Sequence, residues 1–570
     1  MEIIRFKLTK DASLNGTENL YYRLENGAYM KSNEINMPIN STVSLDTYFN
    51  VLSTKYFRYA IITNPQVEVK FIGDIDLEIR LKTEDKDELL AKRNFISKEI
   101  VSAFLNFSLS EIVEGFIYIK IISNKQDTRF LGGGFICDTI PRKINLGVVI
   151  CTFKREKYVL DNLNKISQYF KTEKALKEKL TVFVVDNGKT LEKDILLKEN
   201  VILIPNENTG GAGGFTRGLK EIIKDGAFSH FLFMDDDLYF DPIILLRTLT
   251  LLSILRPEYE KSSIGGGMLI LDNPTIQHES GGFWNGINLR SNANNVDVST
   301  TAGLLKNEKI VSLDYNAWWY MCMPISTVDD VGLPLERIFI KGDDIEYGLR
   351  GIKTLIVING IGVWHENFNY KYIGQYEYFS KRNELIVNSR FPRKKGLMAN
   401  FIKYVKGVSK ALVEQRYFTI DLIDRAYMDF LKGYDYIAQI DSVKLLAEFK
   451  ALLPQQIPVE EFESQNEINI KEELEKTLNK KPKTFIQVIT LNSYLLPKCT
   501  YQDIAVVEMI KPRPISFYKV KKCISYNSYT QSVFVTEIKK TKIFYAIGKI
   551  IKMFFNLIFK FRKATKSYRF

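Results

Sequence analysis

The sequence has few of the residues that hold secreted or metal-knuckle proteins together. Only five cysteines occur in 570 residues, at positions 137, 151, 322, 499 and 523. Their spacing fits neither a disulfide framework nor a metal or redox motif. We therefore expect a protein of a reducing compartment that contains no disulfides.

Long apolar runs are missing as well. No uninterrupted apolar stretch reaches the roughly 20 residues of a membrane-spanning helix, and residues 1–7 lack the charged-then-apolar order of a secretory signal. We expect a cytoplasmic protein that contacts the inner face of the plasma membrane only peripherally. With 45% hydrophobic and 26% charged residues, the chain is typical of globular proteins, and its length predicts several domains.

An acidic triplet follows a short apolar segment. Residues 231–233 are apolar, and Asp235, Asp236 and Asp237 come shortly afterwards. In an extended segment Asp235 and Asp237 point to the same side. Two such oxygen ligands can hold Mg²⁺ or Mn²⁺ and, through the ion, a diphosphate. Acidic triplets more often belong to solvated loops or helix caps, so the neighbouring segments decide between these interpretations.

Three further apolar segments end in polar or glycine-rich residues. The segments are 147–152, 181–185 and 201–204, and they lead into 153–155, 186–188 and 206–215. Short apolar strands that alternate with helix-length segments indicate a mostly parallel sheet with crossover helices. Because ligands of such sheets bind beyond the carboxyl ends of the strands, a nucleotide is predicted at that edge.

These motifs and two later ones resemble the inverting family-2 glycosyltransferases. The motifs are 152–155, 208–215, the acidic triplet, 343–350 and 364–365, in the family's order between about residues 145 and 390. Together with 314–319 they are most similar to the galactofuranosyltransferases, which build galactan from UDP-galactofuranose. The resemblance implies a central α/β domain of the GT-A type, a UDP-sugar donor and a divalent metal ion.

The resemblance also implies which residues bind the ion and the donor. Asp235, Asp237 and His365 are expected to hold the ion, Mn²⁺ rather than Mg²⁺, because an imidazole joins the two carboxylates. By position alone, a histidine after a tryptophan would more often be a satisfied core residue. Residues expected to contact the uridine diphosphate are Arg155, Asp186, Asn208, Gly210, Gly211 and Asp236.

From the residues alone, the donor contacts have simpler alternatives. Asp186 could equally form a turn in its Asp-Asn-Gly sequence, and Arg155 could be a solvated residue at a helix start. The glycines at 210, 211, 213 and 214 would let backbone amides approach a ligand ahead of a helix. A glycine-rich loop alone is weak evidence, and this one fits neither the P-loop nor the dinucleotide fingerprint.

Inverting transfer needs a carboxylate that deprotonates the acceptor hydroxyl. Asp343 and Asp344 open a predicted helix, whose N-terminal dipole favours an ionised carboxylate. The resemblance assigns the base to Asp344, whereas Asp343 could simply cap the helix. The expected acceptor and sugar pocket consists of Trp318, Trp319, Asp343, His278 and Glu279. Two core tryptophans are an equally simple alternative for 318 and 319.

The rest of the chain is divided by its patterns. Residues 1–143 alternate apolar and polar side chains and predict a β-sandwich or jelly-roll module that contacts an acceptor or subunit, or is purely structural. The sheet domain covers 144–392, and a mainly helical domain covers 393–538. Within the latter, 453–483 is linker-like, and 484–490 and 532–538 are strand-like.

The segment 539–570 carries ten basic residues and no acidic ones. At helical spacing, Lys549, Lys552, Lys560 and Lys563 share one face, and isoleucines and phenylalanines cover the other. This pattern is typical of a helix on an anionic membrane surface, and the alternative is a helix docked on the protein's own core. The net charge of +12 lies partly in this tail, and without a recognisable nucleic-acid module we expect no nucleic-acid partner.

The sequence therefore predicts an inverting galactofuranosyltransferase that extends a cell-surface polysaccharide (O-antigen, capsule or galactan) on a lipid carrier. The same fold with another donor, such as dTDP-rhamnose or UDP-glucose, is the first alternative. An inactive glycan-binding scaffold would not need the acidic triplet, Asp344 and His365 together, and a nucleotidyltransferase would need a triphosphate-binding basic loop. Assembly into a homo-oligomer is left open.

Overall fold

The computed structural model describes residues 1–9, 14–192, 199–286, 288–368, 370, 374–391, 396–482 and 484–569. The chain forms two compact units. The first consists of Met1–Trp284, Asn288–Glu336 and Asp344–Glu366, and the second of Asn285–Ile287, Arg337–Asp343 and Asn367–Phe570. The N-terminal module and the sheet domain therefore belong to the same unit.

The N-terminal module is an antiparallel sheet. Its strands are β1 Glu2–Arg5, β2 Arg23–Glu25, β3 Tyr29–Lys31, β4 Glu34–Met37, β5 Thr42–Ser44, β6 Leu52–Ser53, β7 Gln66–Thr83, β8 Asp87–Asn106, β9 Gly115–Ser123 and β10 Thr128–Ile136, and helix α1 spans Lys55–Tyr59. Alternate residues of β7 are buried, as the period-two pattern predicts. All ten strands join one connected sheet rather than the two separate sheets of an ordinary sandwich.

The sheet domain follows in the same unit. Its strands are β11 Leu146–Thr152, β12 Leu180–Asp186, β13 Val201–Pro205, β14 His230–Asp235, β15 Ser263–Ile270, β16 Asn273–Glu279, β17 Gly282–Trp284, β18 Leu289–Ser291, β19 Val296–Asp297, β20 Met321–Pro324 and β21 Leu355–His365. Its helices are α2 Glu156–Thr172, α3 Lys174–Lys177, α4 Gly210–Asp225, α5 Ile243–Ile254, α6 Thr301–Glu308, α7 Ser326–Val331 and α8 Asp343–Gly351. The main sheet has the order β13-β12-β11-β14-β20-β15-β16-β19, with β21 paired to β15.

The first four strands of that order are parallel, and β20 is antiparallel to β14. The predicted strands at 147–152, 181–185, 201–204 and 231–233 are therefore confirmed, as is the crossover arrangement with α2 and α4. Thr152 lies opposite Asp186, and Cys151 lies opposite Asp235. The polar strand ends consequently meet at one edge of the sheet, as the sequence predicts.

Strand β21 departs from regular pairing in its middle. It runs parallel to β15, with Val357 opposite Gly265 and Gly362 opposite Gly267. Residues 358–361 therefore stand opposite a single residue of β15 and form a bulge, here called the β21 bulge. Gly360 within it has a φ of +85°, a left-handed conformation that favours glycine.

The second unit contains helices and a small sheet. Its elements are α9 Glu377–Arg390, α10 Leu397–Val413, α11 Tyr417–Phe430, α12 Tyr434–Ala438, α13 Ser442–Leu452, β22 Ile457–Pro458, α14 Val459–Asn466, α15 Ile470–Leu478, α16 Thr484–Ile489, β23 Gln502–Glu508, β24 Val520–Asn527, β25 Ser532–Glu537 and α17 Lys542–Ser567. The linker expected at 453–483 instead contains α14 and α15, and the strand expected at 484–490 is the helix α16. The strand expected at 532–538 is confirmed.

Helix α17 is docked along one side and exposed along another. Met553 and Leu557 are buried in a cluster with residues of α10 and α11, and Lys549 forms an ion pair with Asp424 at 2.5 Å. Large apolar side chains on its other side are exposed, namely Phe544, Ile547, Ile551, Phe555, Ile558 and Phe559. Within the described residues, α17 and the other helices are too short or too polar to cross a membrane.

Candidate active site

The acidic triplet sits at the carboxyl end of a completely buried strand. Residues 231–234 of β14 are inaccessible to solvent, and β14 ends at Asp235. Immediately after the triplet, Tyr239 and Trp364 exchange two backbone hydrogen bonds of 2.9 and 2.7 Å. This bridge joins the turn after β14 to the end of β21, so His365 is brought beside the carboxylates although more than 120 residues separate them in the chain.

Asp235, Asp237 and His365 form a compact cluster of metal-ligand type. One ligand atom from each lies within 4.8 Å of the other two, and His365 Nε2 is 3.3 Å from Asp237 Oδ1. The Nδ1 atom of His365 is 2.6 Å from the carbonyl oxygen of Glu366. Because a carbonyl only accepts, the proton belongs on Nδ1, and Nε2 is the atom that can bind an ion. Two carboxylates and a neutral imidazole form a ligand set that fits a divalent metal ion.

The electrostatics of the cluster also favour a cation. Burial, together with the neighbouring carboxylate of Asp237, raises the pKa of Asp235 to about 7. Burial alone would lower the pKa of His365, but its hydrogen bond to Asp237 and the charge of Asp235 raise it. The excess negative charge thus draws a proton to each of these groups, and a divalent ion would satisfy the same field.

Arg155 lies beside the cluster. It directly precedes α2, and its Nη1 atom is 3.0 Å from Asp236 Oδ1 and 2.6 Å from Asp237 Oδ2. Its side chain is half-exposed, whereas Asp236 is buried, and burial raises the pKa of Asp236. The guanidinium therefore holds the triplet in place and presents part of its surface towards solvent, where an anionic ligand can reach it.

One residue of this arrangement was missed by the sequence analysis. Asn162 is buried on α2 and donates from Nδ2 to the backbone carbonyl of Asp236 at 2.9 Å. It lies seven residues after Arg155, which places both on the same face of the helix. That spacing, with an asparagine among apolar neighbours such as Val159 and Leu163, is the signal that could have identified it.

The carboxylate of Asp186 is engaged with its own turn. It is buried and accepts hydrogen bonds from the backbone N–H groups of Gly188, Thr190 and Leu191 at 2.9, 2.7 and 2.8 Å. These bonds match the turn-forming alternative. The residue still lies at the ligand edge, but its oxygens close the loop after β12.

The glycine-rich segment begins α4 instead of forming a separate loop. Asn208 Oδ1 accepts from the N–H of Gly210 at 3.1 Å, and Gly210 and Gly211 are partly exposed at the start of the helix. Gly213 and Gly214 are buried, and a Cβ atom on Gly214 would lie 2.1 Å from Cys151 Sγ. The expected role of Gly213 and Gly214 in approaching a ligand is therefore corrected: Gly214 allows α4 to pack closely on the sheet, and Gly213 leaves room for the side chain of Thr209.

Asp344 lies in the first turn of α8, partly exposed, and its Oδ1 accepts from the N–H of Ile345 at 2.8 Å. Tyr347 on the same helix packs against Trp318, whose ring centroid is 4.7 Å from that of Phe233 in β14. These aromatic contacts attach α8 to the strand that carries the acidic triplet. Asp343 is also partly exposed at the start of α8.

The other expected pocket residues are largely internal. Trp318 and Trp319 are only 5% and 4% exposed, so they belong to the core, and the expected open sugar-binding surface is corrected. Glu279 is buried and accepts hydrogen bonds from Ser291 and from Tyr315 Oη, the latter at 2.6 Å. Burial raises the pKa of Glu279. His278 is partly exposed.

The chain is similar to known glycosyltransferases. Residues 147–257 match the model of glycosyl transferase family 2. The galactofuranosyltransferase GlfT2 of Mycobacterium tuberculosis is 25% identical over 437 residues, which are 70% of this chain and 67% of that protein. The GlfT2 of Mycolicibacterium smegmatis is 26% identical over 435 residues, 70% of this chain and 65% of that protein.

Two solved structures are distant neighbours. The mannosyltransferase PcManGT from Pyrobaculum calidifontis, in complex with GDP-Man and Mn²⁺, covers 55% of this chain and 84% of its own at 11% identity, with a TM-score of 0.30. Mannosyl-3-phosphoglycerate synthase from Rubrobacter xylanophilus covers 44% and 75% at 12% identity, with a TM-score of 0.28. From the family match and the two curated relatives, the chain is a glycosyltransferase with a family-2 domain, similar to the mycobacterial galactofuranosyltransferases.

Proposed function

We propose that this glycosyltransferase is an inverting enzyme that transfers β-galactofuranose from UDP-galactofuranose to a growing cell-surface polysaccharide on a lipid carrier. The donor sugar follows from the similarity to the two galactofuranosyltransferases. The observation that carries the chemistry is the cluster of Asp235, Asp237 and His365 beside Arg155 at the carboxyl edge of the sheet.

Asp235, Asp237 and His365 would hold a divalent ion, Mn²⁺ before Mg²⁺. When bound, the ion supplies positive charge that stabilises the departing diphosphate. Arg155 would add its own charge from the same side, because it is already fixed against Asp236 and Asp237. The first turn of α4, with Asn208, Gly210 and Gly211, supplies N–H groups at a helix start, which favour anions.

Asp344 is the proposed base. It would accept the proton of the acceptor hydroxyl while that oxygen attacks the anomeric carbon opposite the leaving diphosphate, which inverts the configuration. Its partial exposure in the first turn of α8 supports this role, since an acceptor sugar can reach it from solvent. Glu346 is a poorer candidate, because it is buried and both of its oxygens bind Arg350 at 2.7 and 3.0 Å.

The proposed membrane contact uses the exposed side of α17. Phe544 and Phe559 are 75% and 76% exposed, and the segment 539–570 contains basic residues without acidic ones. Apolar side chains beside lysines match a helix that lies in the interface of an anionic membrane. Such contact would keep the enzyme near an acceptor that is attached to a lipid.

A donor panel tests the proposed activity directly. The full-length protein with Mn²⁺ is incubated with UDP-galactofuranose, UDP-galactopyranose, UDP-glucose and dTDP-rhamnose, and release of the nucleoside diphosphate is measured with and without a short galactofuranose-containing acceptor. We expect turnover with UDP-galactofuranose to exceed that with each other donor by at least about tenfold. Higher turnover with dTDP-rhamnose or UDP-glucose would leave the fold and the site as described but would assign another donor to the enzyme.

A further inference from the structure

Carbonyl groups in the β21 bulge, and that of residue 357 just before it, are bound by side chains from outside this sheet. Backbone groups that leave a ladder need other partners when they are buried. Tyr48 Oη donates to the carbonyl of residue 361 at 3.3 Å, and Lys55 Nζ donates to that of residue 357 at 3.0 Å. Arg247 Nη1, from α5, donates to the carbonyl of Gly360 at 3.0 Å. Tyr48 and Lys55 belong to the N-terminal module, so this module completes the hydrogen bonding of the strand.

Lys55 is itself fixed by a buried network. Its Nζ atom also donates to the backbone carbonyl of Asn307 at 2.5 Å, and its charge faces Glu308. Glu308 accepts from Ser53 of the N-terminal module and from Asn359 Nδ2 of the bulge, the latter at 2.6 Å. Removing one member would leave buried polar partners without hydrogen bonds, so these bonds couple the module to the bulge.

The N-terminal module also packs closely against β21 between the bulge and His365. Gly362 packs directly against Tyr48, and a Cβ atom there would lie 2.4 Å from the tyrosine hydroxyl. Two residues later, the ring of Trp364 packs against Phe49 with centroids 5.8 Å apart. The contacts of the N-terminal module therefore continue along β21 to the residue that precedes His365.

We infer that the N-terminal module is a positioning element of the metal site, in which Tyr48, Phe49 and Lys55 help to fix the end of β21 and thereby the imidazole of His365. They act through the strand and touch neither donor nor acceptor. The inference rests on the proposed metal-binding role of His365, but it concerns the position of a side chain, which can be measured without any metal.

Histidine NMR provides that measurement. The chain has only three histidines, His230, His278 and His365, so the full-length protein labelled with ¹³C at the histidine rings gives three ring signals, and His365→Gln identifies one of them. In metal-free protein, Lys55→Met and Tyr48→Phe should shift or broaden the His365 signal. The His278 signal should stay in place.

Mn²⁺ binding is the second readout, measured on the same proteins by electron paramagnetic resonance with Mn²⁺ as the only ligand. Loss of groups that orient a metal ligand typically weakens binding by 10–100-fold. We expect about tenfold weaker binding for Lys55→Met and a smaller loss, roughly threefold, for Tyr48→Phe, whose lost hydrogen bond is long.

Tyr118→Phe is the matched control. It removes the same hydroxyl group from the same module, where Tyr118 in β9 donates to Asp87 at 2.9 Å. The melting temperature should fall in all three variants, whereas the His365 signal and Mn²⁺ affinity should change only in Lys55→Met and Tyr48→Phe. If Lys55→Met fails to fold, the His365 signal and the Mn²⁺ affinity of Tyr48→Phe test the inference.

Wild-type His365 signals and wild-type Mn²⁺ affinity in the folded variants would overturn the inference. An equal change in Tyr118→Phe would also overturn it, because the effect would then reflect general loosening. If wild-type protein does not bind Mn²⁺ but the His365 signal shifts as expected, the positioning role stands and the metal assignment of the proposed function fails.

Discussion

The acidic turn after β14 and the outer side of α17 both place side chains in surroundings that disfavour them. Asp235 is a carboxylate in a buried cluster, and Phe544 and Phe559 are phenylalanines in water. The carboxylate of Asp235 is surrounded by fixed partners such as Arg155 and His365. The phenylalanines belong to an apolar surface that extends along α17. A small ion satisfies the first arrangement and a broad apolar surface satisfies the second, so the same energetic argument leads to two different ligands.

Removing the ion should have the largest effect. If the buried carboxylates exist to hold a cation, EDTA should abolish transfer and Mn²⁺ should restore it. Asp237→Asn should lower turnover by at least about 10³-fold, since a bound metal contributes several kcal/mol to stabilising the transition state. Asp225→Asn, which alters a carboxylate at the exposed end of α4, should leave turnover unchanged. Full activity in EDTA would remove the metal from the proposal.

The second prediction separates the base from the ion cluster. Asp344→Asn keeps the shape of the side chain but cannot accept a proton, so turnover should fall by about 10²–10⁴-fold. UDP affinity, measured by calorimetry, should stay within about twofold of wild type because the cluster around Asp237 is intact. Unchanged turnover would transfer the role of base to Asp343.

The third prediction tests the exposed side of α17. Phe544→Ser combined with Phe559→Ser should weaken binding to anionic vesicles by about tenfold or more, since each buried phenylalanine contributes roughly 1.5–3 kcal/mol. High salt should weaken it further, because each lysine near the surface contributes about 1 kcal/mol. Vesicle sedimentation measures both effects.

Ile140→Ser is the control for that experiment, because Ile140, at 88%, is the most exposed large apolar residue among the described residues of the first unit. Deleting α17 would be a poor test, since Met553 and Leu557 are part of the core of the second unit. Wild-type vesicle binding in the double variant, with transfer to a short acceptor unchanged, would exclude this side of α17 as the membrane contact.

The smallest effect concerns stability in the absence of metal. The pKa of Asp235 is raised from 3.8 to about 7 in the folded protein, so folding favours its protonated form. The contribution of the protonated Asp235 carboxyl to the free energy of unfolding is complete below about pH 4 and is lost as the pH rises towards 7. Metal-free Asp235→Asn should therefore be more stable than wild type at pH 8, by an amount on the order of 2 kcal/mol, and similar to wild type at pH 4. Denaturant unfolding at both pH values measures the stability difference between Asp235→Asn and wild type. Equal differences at pH 4 and pH 8 would contradict the prediction.

The strands of the sheet domain could be predicted because their apolar residues are consecutive and each strand ends in polar residues. The helices α14 and α15 were missed because flanking prolines suggested a linker, although their glutamate, lysine and leucine residues have high helix propensity. A local signal was nevertheless present: Asn469 caps α15 by accepting from the N–H of Glu472, in the spacing typical of helix starts. Residues 484–489 have strong strand propensity but form α16, in which Phe485 and Val488 are exposed, so strand propensity alone predicted the wrong element.

The sequence predicted which side chains lie at the ends of the strands but not how they pack. Asp235 and Asp237 were identified from the end of a strand, and the resemblance added Arg155 and His365. Whether Trp318 faces a sugar or the core depends on Phe233 and Tyr347, which are distant in sequence. The glycines of α4 show the same limitation, because close helix packing and close approach of a ligand both require a missing side chain.

The β21 bulge has a consequence for attempts to shorten or recombine this enzyme. A protein that starts at residue 144 would retain the family-2 domain, but the carbonyls of residues 357 and 361 would lose Lys55 and Tyr48. Glu308 would keep its buried carboxylate and lose its cation. Such a fragment should fold poorly or bind metal weakly even though each proposed catalytic residue is present. Any transferable catalytic piece of this chain therefore has to include the N-terminal module, and an exchange of N-terminal modules between relatives would need to carry Tyr48 and Lys55 with it.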